Sequence, residues 1–439
     1  MPLVKQLIPK NNSAASYFPA STNNANNTYE WEAVVGFFIK SLHNIELLKK
    51  VEVEGSTYEV KTLQNFKELC KQQLIQRLDG EPIWHIIEKV YFDNEQVLNI
   101  SPEMQSLRML NTQVSNAADE RLTLFLSNAF GQLQILEPPS PQLNFLEREI
   151  KEVFSLLIDK SEKKLKLNKP YLPELSMLFQ KDLEFLVGYP EHFLQNIKPF
   201  LKLYGFLYTA QLALNVRGWS RQPEVKPCYF ILDSEKASKE RTKLQLHGHK
   251  QVIESSYALF PHLALNESLQ DAKSSIVPLW ELVGELTSND IDALNNYAAD
   301  FHEDRKLTSE LLPAENIEQA ITSLIKLFEE QFNKGTTREG AFNNFVKATR
   351  ETLIKPFEQS RGRAGSYLVL NQDYLLLLTN ISIGSREKLR LHELLVEFQN
   401  RGVFFDKSSE ECLIDLFERM GNVERMSDSG DAVYVKKTI

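Results

Sequence analysis

Arg401-Gly402-Val403-Phe404-Phe405-Asp406-Lys407-Ser408-Ser409-Glu410-Glu411-Cys412-Leu413-Ile414-Asp415-Leu416-Phe417-Glu418-Arg419-Met420 is the stretch on which the reading of the fold turns. Gly402 stands where a helix should stop, because glycine takes the left-handed backbone of a C-terminal cap without steric cost. Val403–Phe405 then reads as a short strand. Ser408 and Glu411 have the spacing of a capping box, in which each side chain satisfies the other residue's free backbone N–H. A helix is therefore expected over Ser409–Met420, with Leu413, Leu416, Phe417 and Met420 on its buried side.

Working outward, Gln372–Ile381 reads as an apolar helix and Glu387–Gln399 as a second, with Leu389, Leu391, Leu394, Leu395 and Phe398 facing inward. Beyond Met420, Val423–Met426 and Ala432–Thr438 are β-runs joined through the turn sequence Asp428-Ser429-Gly430-Asp431. Helix, helix, strand, helix and hairpin is the order of a winged-helix domain, which is expected over residues 366–439.

The rest of the chain reads mainly as helix. Asn11–Thr28 is rich in Asn, Ser and Ala, so residues 1–30 are expected to form a flexible N-terminal segment. Trp31, Val34, Val35, Phe38 and Leu42 begin a helical pattern, and a β-like stretch follows at Val51–Lys61. The run Glu137-Pro138-Pro139-Ser140-Pro141 suits neither a helix nor a central strand. It separates an α-rich N-terminal domain, 31–136, from a central helical domain, 142–365. Within the latter, helices are expected at Leu143–Ile158, Pro173–Gly188 and His192–Val216, and Pro227–Leu232 is an isolated strand candidate. The fold class is thus mainly α: a multi-helical protein with a small α+β winged-helix domain at the C-terminus.

Composition narrows the function. With 59 acidic and 50 basic residues the net charge is -9, whereas a surface that wraps duplex DNA needs a cationic excess. Cys70, Cys228 and Cys412 lie more than a hundred residues apart, which excludes zinc-knuckle spacing and fits a reducing compartment. Met1–Lys10 lacks the apolar core of a signal peptide. Phe200–Val216, the most apolar stretch, is too short to span a bilayer. A cytoplasmic protein that avoids membranes is expected.

Several patterns approach catalytic motifs and stop short. Gly335-Thr336-Thr337-Arg338-Glu339-Gly340 begins like a phosphate loop, but Ala341 and Phe342 replace the Lys-Ser/Thr pair. His392-Glu393 lacks a second histidine one turn on, where Val396 stands. His247-Gly248-His249 has no nearby Cys or carboxylate cluster. In Asp233-Ser234-Glu235-Lys236 the lysine follows the glutamate directly, which sends the two to opposite faces of a strand and argues against a nuclease site. Glu224-Val225-Lys226 has the nuclease spacing but is flanked by Pro223 and Pro227. Asp233 or Ser234 reads better as a helix cap. No catalytic residue, metal or cofactor is expected, so the protein is read as a non-enzyme.

Two charged faces remain as contact candidates. If Ser234–Gln251 is helical, Lys236, Lys239, Lys243, His247 and Lys250 fall along one face, suited to phosphates or an acidic partner, or simply to solvent. Lys160, Lys163, Lys164, Lys166 and Lys169 form a second basic run, read as an exposed helix end and loop. On the third C-terminal helix, Glu411, Asp415 and Glu418 form an acidic stripe suited to docking a basic partner. From Arg361 to Ile439 there are 11 Lys or Arg and 12 Asp or Glu, a net of -1 where DNA-reading domains are basic.

The sequence also resembles the DptG family of DNA phosphorothioation-dependent restriction proteins. The similar stretches are Leu232-Asp233-Ser234-Glu235-Lys236-Ala237-Ser238-Lys239 with the apolar helix before it, Arg361-Gly362-Arg363-Ala364-Gly365, Arg401–Asp406, and Ser427–Val435. They cover the C-terminal half. The resemblance implies bacterial host defence alongside an ATPase-like DptF and a helicase-like DptH, with DNA reached through the complex, and it carries over no catalytic residue. The expectation is a non-catalytic scaffold or adaptor subunit. The alternatives are a winged-helix protein acting directly on DNA and, more distantly, a nuclease.

Overall fold

The computed structural model describes residues 3–4, 6–23, 26–53, 55–78, 81–111, 117–131, 142–160, 167–236, 241–271, 273–425 and 433–439. Helix dominates, and the sheets are small. Among the described residues no helix is long and apolar enough to cross a membrane.

The fold is assembled around one long helix, Pro190–Asn215, in which almost every residue from Phe200 to Asn215 is buried. Helices α1 (Trp31–Leu42), α2 (Ala117–Phe130) and α3 (Pro173–Val187) pack on this central helix, α4. Pro173 fills the first turn of α3, where a missing N–H costs nothing. Rings lock the contact: Phe130 stacks on Phe179 at 3.5 Å, and Tyr204 meets Phe179 edge-on at 4.9 Å.

The N-terminal segment departs from the expectation of a flexible tail. Tyr17 and Phe18 are buried in the main core, and the Tyr17 hydroxyl donates to the carbonyl of Ile276 at 3.0 Å. Its Asn, Ser and Ala content hides two aromatic anchors whose burial outweighs the composition around them. Leu3 and Leu7 pack on a separate helical core built from Leu265, Tyr297, Phe301 and Phe328. A third core joins residues 45–107 to helix Phe145–Ser155. The sequence boundary at 137–141 lies outside the described residues.

The strand candidate near residue 228 is central rather than isolated. Strand β1 (Cys228–Leu232) lies between β3 (Ser366–Leu370) and β5 (Val403–Phe404), parallel to both, and β2 (Glu358–Ser360) runs antiparallel on the outer side of β3. Phe230 and Leu232 face the main core, whereas Ile231 meets Tyr367, Val369 and Leu244 on the other face. A strand covered on both sides reads as an unbroken apolar run, and that is what Cys228-Tyr229-Phe230-Ile231-Leu232 is. The boundary expected at 365/366 therefore falls between paired strands, and one core extends across it to Val435.

The C-terminal part contains α7 (Gln372–Ile383), α8 (Leu391–Asn400) and α9 (Lys407–Arg419), in the expected order. Lys388–Arg390, expected to be helical, is instead strand β4. It pairs with β7 (Val433–Lys436), which pairs with β6 (Val423–Arg425), giving the antiparallel order β6-β7-β4. Leu389 and Val435 point inward together. The turn expected at Asp428–Asp431 lies outside the described residues.

Candidate partner-docking site

Helix α9 begins two residues earlier than expected, at Lys407 rather than Ser409. Its cap is Asp406, whose carboxylate accepts from the N–H of Ser409 at 3.0 Å. A carboxylate there also opposes the positive end of the helix dipole. Arg241 reaches the same carboxylate through Nε at 2.5 Å and through Nη2, and its Nη1 donates to Glu235 at 2.7 Å. Glu235 in turn accepts from Ser409 Oγ at 3.0 Å and from the N–H of Leu232 at 2.7 Å. Burial would raise the Asp406 carboxyl, but Arg241 and Ser409 outweigh it and hold the group below the usual carboxylate range. The network ties the start of α9 to the end of β1.

A second, deeper network fixes α8. Arg401 and Asp182 are each 1% exposed at the side chain. The guanidinium donates to Asp182 from Nε at 2.7 Å and from Nη2 at 2.6 Å, and from Nη1 to the Glu397 carbonyl at 2.7 Å. The Tyr204 hydroxyl also donates to Asp182. Burial pushes the Asp182 carboxyl up, against the pull of Arg401 and Tyr204. Glu397 is drawn below its ordinary value, burial being outweighed by Arg386 and Arg401. Next to it, Gly402 has φ +84° and approaches α4 so closely that a Cβ would lie 2.4 Å from Gln211 Nε2. The positive φ calls for glycine, and any side chain would also push Gln211 aside.

On this anchored frame Glu411, Asp415 and Glu418 are all exposed, on the side of α9 opposite the buried Leu413 and Phe417. The acidic stripe is thus presented to solvent by a helix whose start is held by an ion-pair network.

The basic candidates are dispersed. The helix expected over Ser234–Gln251 does not form. Asp233 and Ser234 make a turn, in which the N–H of Glu235 bonds to the carbonyl of Leu232 at 3.0 Å. Two short helices, α5 (Thr242–Leu246) and α6 (His249–Ser256), meet at His247-Gly248. A Cβ on Gly248 would sit 2.3 Å from the Leu244 carbonyl, so the chain bends there where only glycine fits. Lys236 is exposed in the loop after β1, Lys239 lies outside the described residues, and Lys243 and His247 are exposed beside the bend. Lys250 pairs with Glu254 at 3.7 Å. Of the second run, Lys163, Lys164 and Lys166 lie outside the described residues, and Lys169 pairs with Glu281.

The near-miss motifs have structural partners. Gly335 donates its N–H to Glu339 at 2.7 Å, so the loop closes on its own carboxylate. Glu393 accepts from the N–H of Arg390 at 3.0 Å, and His249 lies 3.2 Å from Glu358. Glu235 is occupied by the three donors already named. Among the described residues no group of three His, Cys, Asp or Glu is arranged to hold a metal. The ion-pair roles of Arg241 and Asp182 escape local pattern, because Arg241 and Asp406 are 165 residues apart and Asp182 and Arg401 are 219 apart. No protein-family model matches the chain, and no curated protein does.

Proposed function

We propose that the chain is a non-catalytic adaptor whose C-terminal unit is a winged helix that docks a basic partner surface. Two features support the winged-helix reading. The elements run α7, β4, α8, β5, α9, β6, β7, and β4 pairs with β7 in a three-stranded sheet, while β5 joins β1 in the other sheet. The observation that carries the docking reading is the joint exposure of Glu411, Asp415 and Glu418 on the third helix. Against a phosphate-lined groove such a stripe sets like charges within a Debye length, about 8–10 Å. Against lysines and arginines of another protein it is complementary, and such matching governs encounter and register more than raw affinity. The motif resemblance supplies the setting: a phosphorothioation-dependent DNA restriction complex with an ATPase-like DptF and a helicase-like DptH.

The test is charge reversal in the full chain. Glu411→Lys, Asp415→Lys and Glu418→Lys together should abolish co-purification with those two partners while leaving the circular dichroism spectrum and melting profile unchanged. Continued assembly by the reversed protein would sink the docking reading.

A further inference from the structure

The face of the parallel sheet that carries Ile231 and Tyr367 is capped by α5 through Leu244. Near the β5 edge of that face two rings remain partly uncovered. Tyr229 on β1 and Phe404 on β5 are direct register partners, with ring centroids 5.8 Å apart at 47°. The bend at His247-Gly248 brings a lysine and an imidazole beside Tyr229. His247 accepts at its carbonyl from the N–H of Tyr229 at 2.8 Å, in place of a strand partner. This bond holds the bend against the strand, and the missing Cβ of Gly248, which would lie 3.1 Å from the Tyr229 carbonyl, permits the approach. As a result Lys243 Nζ sits 5.8 Å from the Tyr229 ring centre, and the His247 ring lies 6.3 Å from it. Both side chains are exposed.

Among the described residues, several carboxylates on the neighbouring elements are already engaged. Glu358 is paired with Arg350 and His249, Glu254 with Lys250, and Asp406 and Glu235 with Arg241. Among the described residues Lys243 has no carboxylate at ion-pair distance, and its ammonium lies over the Tyr229 ring.

We infer that Tyr229, Phe404, Lys243 and His247 form a stacking platform for single-stranded nucleic acid. The rings supply π-faces that any base can use, Lys243 supplies charge for an adjoining phosphate, and the exposed His247 ring supplies a polar edge beside it. An acidic peptide would use the lysine but gain little from two adjacent rings. A duplex would hide its bases from them. The acidic stripe on α9 is a separate set of residues, so this inference stands apart from the docking proposal.

Titration of the full chain with a fluorescein-labelled thymidine oligonucleotide, followed by anisotropy at low salt, tests it. Binding should weaken steeply with salt, and Lys243→Gln should reduce the logarithmic salt slope by about 0.7. Phe404→Leu should keep the fold and lower affinity by roughly 5- to 150-fold, the loss expected for one stacking ring. Tyr229→Leu should do the same, with an unchanged dichroism spectrum confirming an intact fold. Duplex of the same length and a poly-glutamate peptide should compete poorly. Absence of oligonucleotide binding, equal competition by duplex or peptide, or unaltered affinity in folded Phe404→Leu would each overturn the inference.

Discussion

Replacing Arg401 by leucine tests how the C-terminal helices are held to the rest of the chain. Leucine fills part of the space of the arginine stem but removes both bonds to Asp182 and the bond to the Glu397 carbonyl. Asp182 would remain 1% exposed with the Tyr204 hydroxyl as its chief partner. Removing one member of a buried pair costs about 3–5 kcal/mol, because the stranded charge keeps its desolvation penalty. The loss must also depend on pH. Burial already holds Asp182 above its ordinary value of 3.8, and without the guanidinium the shift grows. A carboxyl whose folded pKa is raised favours folding when protonated, and that contribution fades as pH rises through the folded pKa. The variant's deficit relative to wild type should therefore be larger at about pH 7 than at about pH 5. Urea unfolding followed by far-UV dichroism at both pH values measures it. Adding Asp182→Leu should recover most of the loss, since an apolar pair of similar volume is tolerated where a lone charge is not. A deficit under about 1 kcal/mol at neutral pH, or one equal at both pH values, would refute the reasoning.

Two further outcomes follow from single residues. Gly402→Ala should lower stability by about 1–3 kcal/mol through its positive φ and the contact with Gln211, whereas Gly284→Ala, with open space around it, should not; thermal melts compare them. His262, buried on helix Leu259–Ser268, is driven by burial from 6.5 down to about 4. A lowered histidine contributes stability above its unfolded pKa that is lost as pH falls, so wild type should lose up to about 3 kcal/mol between those values. A folded His262→Gln variant should show a flatter profile over the same window.

The parts of the fold legible in the sequence are those set by local pattern. Pro173 at a first helical turn, the apolar run that became α4, and Gly402 after α8 all act within a few residues of themselves. Where partners are distant, local pattern had nothing to read. Cys228–Leu232 carries no mark of its neighbours because parallel pairing joins it to residues more than a hundred positions away. Tyr17 and Phe18 were hidden by a polar setting, yet two aromatics among Asn and Ser were the available signal. Lys388-Leu389-Arg390 continued the helical periodicity of α8, and only its pairing with Tyr434–Lys436 made it a strand. The acidic stripe was legible because exposure on a helix follows from spacing. The basic face was not, since the break at Gly248 depends on the Leu244 carbonyl and on β1.

This distribution decides how the docking proposal can be tested. Cutting the chain near residue 365 would separate β2 from β3 and expose β1, Leu368 and Leu370, all part of one core. Loss of assembly after such a cut would report unfolding as readily as a missing surface. The three acids of α9 avoid this. They lie outside the core, and substitutions at such positions alter stability by only about 0.5 kcal/mol each. Reversing them changes the local charge by six units while Asp406, Arg241 and Glu235 keep the helix start in place. If the partner surface is basic, the attraction becomes repulsion, and a rim contact of this kind should show first as a slower association rate that no longer falls as salt is added. Rates that keep their salt dependence after the reversal would mean that α9 faces no basic partner.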